Sequence, residues 1–119
     1  YKNYDIESIK EFPKIITEIK GLRGLNVTIP YKEEIIPYLD KLSKTAKKIG
    51  AVNCIKIKQG RLIGYNTDVI GFEQSLVPLL QTHHKAALVL GSPPFRAAIE
   101  MLLAILVKIV PRLASINSF

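Results

Sequence analysis

Four side chains in this 119-residue sequence have types and settings that could do chemistry together: Thr28, Lys32, Asn53 and Asp68. Asp68 belongs to Gly64-Tyr65-Asn66-Thr67-Asp68-Val69-Ile70-Gly71-Phe72, where a strand predicted over 61–65 gives way to a helix over 69–80. In an α/β fold such a junction ends at a surface crevice, so a carboxylate there can face a ligand while its neighbours stay fixed. The plainer account has Asp68 capping the helix, its charge set against the positive N-terminal end, and these nine residues alone favour it. A second stretch, Asn26-Val27-Thr28-Ile29-Pro30-Tyr31-Lys32, shifts the balance. Lys32 follows a strand closed by Pro30 and can offer a proton or a positive charge to an oxygen that gains negative charge. Without its neighbours it would read as one more surface lysine. A carboxylate beside it would orient the ammonium and oppose the fall in pKa that burial imposes on lysine. Asn53 and Thr28 add neutral donors and acceptors that could satisfy polar groups of a ligand, where an unmatched buried hydroxyl is costly.

Composition narrows the setting. The length suits one small domain with a sizeable core, and 48% hydrophobic residues fit a soluble globular class with no repeat or low-complexity pattern. The net charge of +7 admits a partner rich in phosphate or carboxylate. The lysines are nevertheless scattered through amphipathic segments and not interleaved with aromatics, so solvated faces are expected and no nucleic-acid partner. Cys54 is the single cysteine and has no internal disulfide partner, which fits a reducing, cytoplasmic compartment. Tyr1-Lys2-Asn3-Tyr4-Asp5 opens without methionine and without a basic segment leading to an apolar run, so no signal peptide is expected and the chain reads as starting part-way into a gene product. The apolar run 101–107 is bracketed by Glu100 and Lys108, far short of the roughly 20 residues of a membrane span; a buried helix is expected there and no membrane partner.

The elements that must position the four residues emerge from periodicity and turn chemistry. A short strand is predicted over 1–6, Ser8 as a helix cap, and a helix over 13–20 with Ile15, Ile16 and Ile19 at helical spacing and Gly21 placed to end it. A strand comes next over 25–29, closed by Pro30, which has no N–H for the ladder. Two short helical pieces are predicted over 32–39 and 41–49, Pro37 disturbing the first and Gly50 stopping the second. The alternation over 51–58, the Gln59-Gly60 turn and the strand 61–65 read as a β-hairpin. The result is an α/β layer with a mixed sheet. Beyond it, Gln81-Thr82-His83-His84 is polar; its histidines could serve a metal or a proton relay, but no Cys or further His accompanies them, and they read as linker residues. A buried parallel strand is predicted over 86–90, ending in Gly91, and a helix over 96–110. The turn between them, Ser92-Pro93-Pro94-Phe95, is unlike the glycine-rich turn of a dinucleotide site, since two prolines remove two N–H donors and Phe95 adds bulk.

Three stretches in order and spacing, Asn26-Val27-Thr28-Ile29-Pro30-Tyr31-Lys32, Gly50-Ala51-Val52-Asn53 and Gly64-Tyr65-Asn66-Thr67-Asp68 with Gly71-Phe72, resemble the substrate-domain motifs of shikimate dehydrogenases over about residues 1–80. The resemblance implies an N-terminal substrate-binding domain over 1–82, followed over 83–119 by the first strand and helix of an incomplete Rossmann-like NADP-binding domain. It implies reversible NADPH-dependent reduction of 3-dehydroshikimate to shikimate. Lys32 and Asp68 would be the catalytic pair, Thr28 and Asn53 further contacts to the substrate hydroxyls, and Gly91 a weak remnant of the cofactor turn. Cys54 stands where the family often has threonine. The family's first strand and the serine-bearing segment that grips the substrate carboxylate would precede Tyr1, and 108–119 departs from the family. An incomplete chain, inactive by itself, is therefore expected. A quinate or quinate/shikimate dehydrogenase and a non-catalytic folded fragment are the other readings, and the oligomeric state is left open.

Overall fold

The computed structural model describes residues 2–81. The chain divides into two units, Tyr1–Asn66 and Thr67–Phe119. The predicted strand 86–90, helix 96–110, histidine pair and turn 92–95 lie outside the described residues.

The first unit is built on a four-stranded sheet made of β1 (Gly24–Asn26), β2 (Lys41–Leu42), β3 (Cys54–Lys58) and β4 (Arg61–Tyr65), in the order β1-β3-β4-β2. The β1–β3 and β3–β4 pairs are antiparallel and β2–β4 is parallel, so the sheet is mixed, as the alternation of predicted elements implied. The β3–β4 hairpin turns at Gln59 (φ 52°) and Gly60 (φ 74°), both in the positive-φ region that a two-residue hairpin turn of matching twist requires. Two helices accompany the sheet, α1 (Phe12–Glu18) and α2 (Lys44–Ile49).

The core gathers Phe12 from α1, Ile35, Ala46 from α2, Val52 and Ile55 from β3, with Leu25, Val27, Leu39, Leu42 and Leu62 packed around it. Phe12 meets Tyr38 edge to face with ring centroids 5.9 Å apart. Gly64 is buried in β4 because there is no room for more: a Cβ there would lie 2.7–2.9 Å from side-chain carbons of Leu39, Val52 and Leu42.

Several expectations stand. Ser8 caps the first helical turn, Ile9–Glu11, in a reciprocal capping box with Glu11, and α1 continues from it. Gly50 ends α2 in the left-handed conformation at φ 73°. Others are corrected. Residues 2–6 form no strand; their alternation turns only Ile6 partly inward, and the rest are exposed. The strand predicted over 25–29 is shorter, Gly24–Asn26, because the chain bends into a turn before Pro30. No α-helix covers 32–39: after a run of turns the chain makes a 3-10 turn at Ile36–Tyr38, where Pro37 can donate no N–H and the bonds run to the third residue back. The second piece is split. Lys41–Leu42 pairs with Ile63–Gly64 as a parallel edge strand, and α2 starts only after Ser43, whose hydroxyl accepts the Ala46 N–H at 3.1 Å.

Of the second unit, the described residues form α3 (Asp68–Leu76) and a 3-10 turn, Val77–Leu79, at Pro78. The helix predicted over 69–80 is thus present but ends earlier, in a tighter turn. None of the described helices is long and apolar enough to cross a membrane.

Candidate functional site

The three motif stretches lie apart in sequence, and the backbone of the first unit joins the first two to the start of the third, Gly64-Tyr65-Asn66. Asn26 on β1 is opposite Cys54 on β3, which is opposite Tyr65 on β4. One residue before β3, Asn53 is held from both sides: its N–H donates to the Tyr65 carbonyl at 3.0 Å, and its carbonyl accepts the Val27 N–H at 2.9 Å. Next to it, the N–H of the fully buried Val52 donates to the Lys32 carbonyl at 2.7 Å. The stretch that carries Thr28 and Lys32 is therefore bonded at two points to the stretch that carries Asn53.

Local turns set the side chains. The Tyr31 N–H closes a turn on the Thr28 carbonyl at 3.0 Å, and the Ile35 N–H reaches the Tyr31 carbonyl at 3.0 Å. The Tyr31 hydroxyl donates to the Ile6 carbonyl at 2.9 Å, tying the N-terminal segment to the residue beside Lys32. Lys32 and Asn53 are half-buried and Thr28 is exposed. Asp68 is the first residue of α3, in the second unit, two residues along the chain from the buried Asn66, and it is exposed. An acidic residue in the first helical turn also complements the helix dipole, the plainer role considered for it above.

Thus Thr28, Lys32 and Asn53 share one bonded framework. Gly91 lies outside the described residues. Among the described residues, no three His, Cys, Asp or Glu side chains gather as metal ligands would. Sequence reasoning did not single out Tyr31 or Asn66 as side chains that hold this framework. The signal for Tyr31 was a phenol beside the motif lysine. Asn66 carried none beyond its place in the turn, because its side chain bonds the backbone carbonyl of Ala51, 15 residues away in the sequence.

Residues 1–55 match the family model of the shikimate dehydrogenase substrate binding domain. The NADP(+) shikimate dehydrogenase of Aquifex aeolicus is 50% identical over 86 residues, which are 70% of this chain and 32% of that protein. Residues 1–55 carry the substrate-binding domain of the shikimate dehydrogenase family. Among solved structures, shikimate dehydrogenase 1 of Peptoclostridium difficile superposes with a TM-score of 0.73 at 38% identity, covering 92% of this chain and 40% of that one. The Thermus thermophilus enzyme in complex with shikimate has a TM-score of 0.68 at 36% identity, over 82% of this chain and 38% of that one. The chain spans about a third of the length of the curated shikimate dehydrogenases it matches. Its mixed four-stranded sheet corresponds to the family's substrate-binding domain.

Proposed function

We propose that this chain supplies the substrate side of an NADPH-dependent shikimate dehydrogenase, which reversibly reduces 3-dehydroshikimate to shikimate. Residues 1–82 would be the substrate-binding domain and 83–119 the start of the NADP-binding domain. The observation that carries the proposal is the bonding of the Thr28–Lys32 stretch to Asn53 through Val27 and Val52, in a chain that carries this family's substrate-binding domain.

Reduction adds a hydride to the carbonyl carbon and leaves negative charge on the oxygen, and NADPH supplies that hydride when bound. Lys32 would place its ammonium against this oxygen and deliver the proton that completes the alcohol. Asp68 would accept a hydrogen bond from a ring hydroxyl and hold the ammonium in line. Thr28 and Asn53 would satisfy other hydroxyls, whose burial without partners costs about 1–3 kcal/mol each. Hydride transfer also needs the nicotinamide held in near-attack geometry, which supplies much of the rate advantage. Pro93 and Pro94, close after Gly91 in the sequence, each lack the N–H that could bond a pyrophosphate. The 119-residue polypeptide would accordingly bind shikimate without measurable turnover.

Calorimetric titration of the chain with shikimate, quinate and NADPH separately, followed by an assay for NADPH formation, tests this. Saturable binding of shikimate that Lys32→Ala and Asn53→Ala each weaken is expected. Preference for quinate would favour the quinate/shikimate class. Absence of binding to either acid would leave a folded fragment without the function, and NADPH binding with turnover would overturn the inactivity. In a catalytically complete enzyme carrying this segment, Lys32→Ala should lower kcat far more than it raises KM, because its charge is needed as the alkoxide develops. An unchanged kcat would remove Lys32 from the chemistry.

A further inference from the structure

Among the described residues Asn66 is the buried polar side chain, 5% exposed, and its Nδ2 donates to the Ala51 carbonyl at 3.1 Å. That bond crosses between two motif stretches, joining the end of β4 to the turn that precedes β3. Ala51 and Val52 are themselves buried, at 4% and 0% exposure, so water is poorly placed to replace the amide if it is lost. A core built only for stability could use an apolar side chain here and avoid burying an amide. An amide adds direction: it fixes which backbone carbonyl faces the end of β4, and so the register of the turn.

The two residues after Ala51 give the bond its consequence. Val52 holds the Lys32 carbonyl and Asn53 bridges Tyr65 and Val27, so a shift of the turn moves both points at which the Thr28–Lys32 stretch is attached. We propose that Asn66 is a positioning residue, whose side-chain amide sets the placement of Asn53 and Lys32 toward the substrate through the 50–53 turn. The inference rests on the proposed substrate roles of Lys32 and Asn53, while its geometric half can be tested without any substrate.

The test compares Asn66→Ala with Phe12→Leu, a core change on α1 outside the site, in the 119-residue chain. Hydrogen exchange followed by NMR is measured first, without ligand. The expected result is that Asn66→Ala selectively accelerates exchange of the Val52, Asn53 and Val27 amides by tenfold or more and leaves the Ile57 amide, within β3, within about twofold. Phe12→Leu should instead loosen protected amides broadly. Uniform loss of protection in Asn66→Ala would overturn the inference. Shikimate titration is measured second, at a temperature where both variants are folded. Asn66→Ala should weaken binding about tenfold, the scale of one lost buried hydrogen bond, with Phe12→Leu within about twofold of the parent. Equal weakening in the two variants would reduce Asn66 to a stability role and overturn the inference. If the parent chain binds no shikimate, the functional reading fails by itself and the exchange pattern still decides whether Asn66 sets the turn. If Asn66→Ala does not fold, the parent decides: slowed exchange of the Asn66 side-chain amide protons supports the bond, and exchange at the rate of a free amide refutes it.

Discussion

The β3–β4 hairpin and the turn stretch between β1 and β2 each bring one part of the candidate site into place, by opposite means. The hairpin is held by five adjacent cross-strand pairs, from Cys54–Tyr65 down to Lys58–Arg61, around a two-residue turn whose conformation its own residues dictate. Residues 27–40 have no ladder of their own. They are held by turn bonds such as Tyr31 to Thr28, by bonds to distant partners such as Val52 to Lys32, and by a buried Ile35. The hairpin could be written locally, whereas the turn stretch acquires its shape from the core it is pressed against. A stretch of that kind can present Thr28 and Lys32 at unusual angles, but only while the core holds.

The largest expected effects test whether the two regions share one core. Ile35 in the turn stretch and Ile55 in the hairpin are both 1% exposed. Each substitution to Ala should cost about 2–5 kcal/mol, through lost burial and the cavity left behind. Urea unfolding of Ile35→Ala and Ile55→Ala measures both losses. Similar values would make the turn stretch an equal part of the cooperative unit. A loss below about 1 kcal/mol for Ile35→Ala beside a loss of several for Ile55→Ala would show that the turn stretch is an appendage.

The next effect falls where the two regions touch. A Cβ on Gly64 of β4 would come within 2.7 Å of Leu39 Cδ1, at the end of the turn stretch, and 2.8 Å of Val52 Cγ2. Gly64→Ala should therefore destabilise by about 1–3 kcal/mol, the usual cost of overpacking. Because the closest atom is a side-chain end, Leu39→Ala in the same chain should return part of that loss, so a double-mutant cycle would show a favourable coupling. Strict additivity would mean that Leu39 is not what Gly64 makes room for. Smaller again is Ser43→Ala, which removes the cap of α2 and should cost about 1 kcal/mol, read as a fall in melting temperature. No change would mean that the parallel pairing of β2 alone fixes where α2 begins.

The same contrast explains what could be read from the sequence. Ser8, Gly50 and the Gln59-Gly60 turn act on their immediate neighbours, and each was legible. The motif residues were legible as a pattern too, because their spacing resembles a family pattern. What escaped was set by partners remote in the chain. Lys41–Leu42 is a strand only because Ile63–Gly64 lies beside it, and two residues carry too little periodicity to announce themselves. Residues 32–39 have helical spacing, yet Pro37 and the Val52–Lys32 bond leave them as turns. The strand predicted over 1–6 failed for the converse reason: alternation without a neighbouring strand to pair with forms no ladder. For the candidate site, sequence nominated Thr28, Lys32, Asn53 and Asp68, but not the bonds through Val27, Val52 and Asn66 that join the stretches of the first unit.

The smallest effect probes the local side of the contrast alone. Gln59 occupies a left-handed conformation at φ 52°, which costs an ordinary L-residue about 1–2 kcal/mol and asparagine less, since its short amide can bond to the local backbone. Gln59→Asn creates the Asn-Gly pair most favoured in two-residue hairpins and should stabilise the chain by about 0.5–1 kcal/mol. The gain should appear as a higher urea midpoint with an unchanged slope, because neither the folded core nor the surface exposed on unfolding is altered. The substitution lies at the Lys58–Arg61 end of the hairpin, whereas Asn53 adjoins the Cys54–Tyr65 end. Exchange of the Val52 and Asn53 amides should therefore slow only in proportion to that of Ile57, as the new global stability requires. If they change selectively, turn chemistry at one end of the hairpin is reaching the candidate site at the other, and the division into a locally written hairpin and a core-shaped turn stretch does not hold.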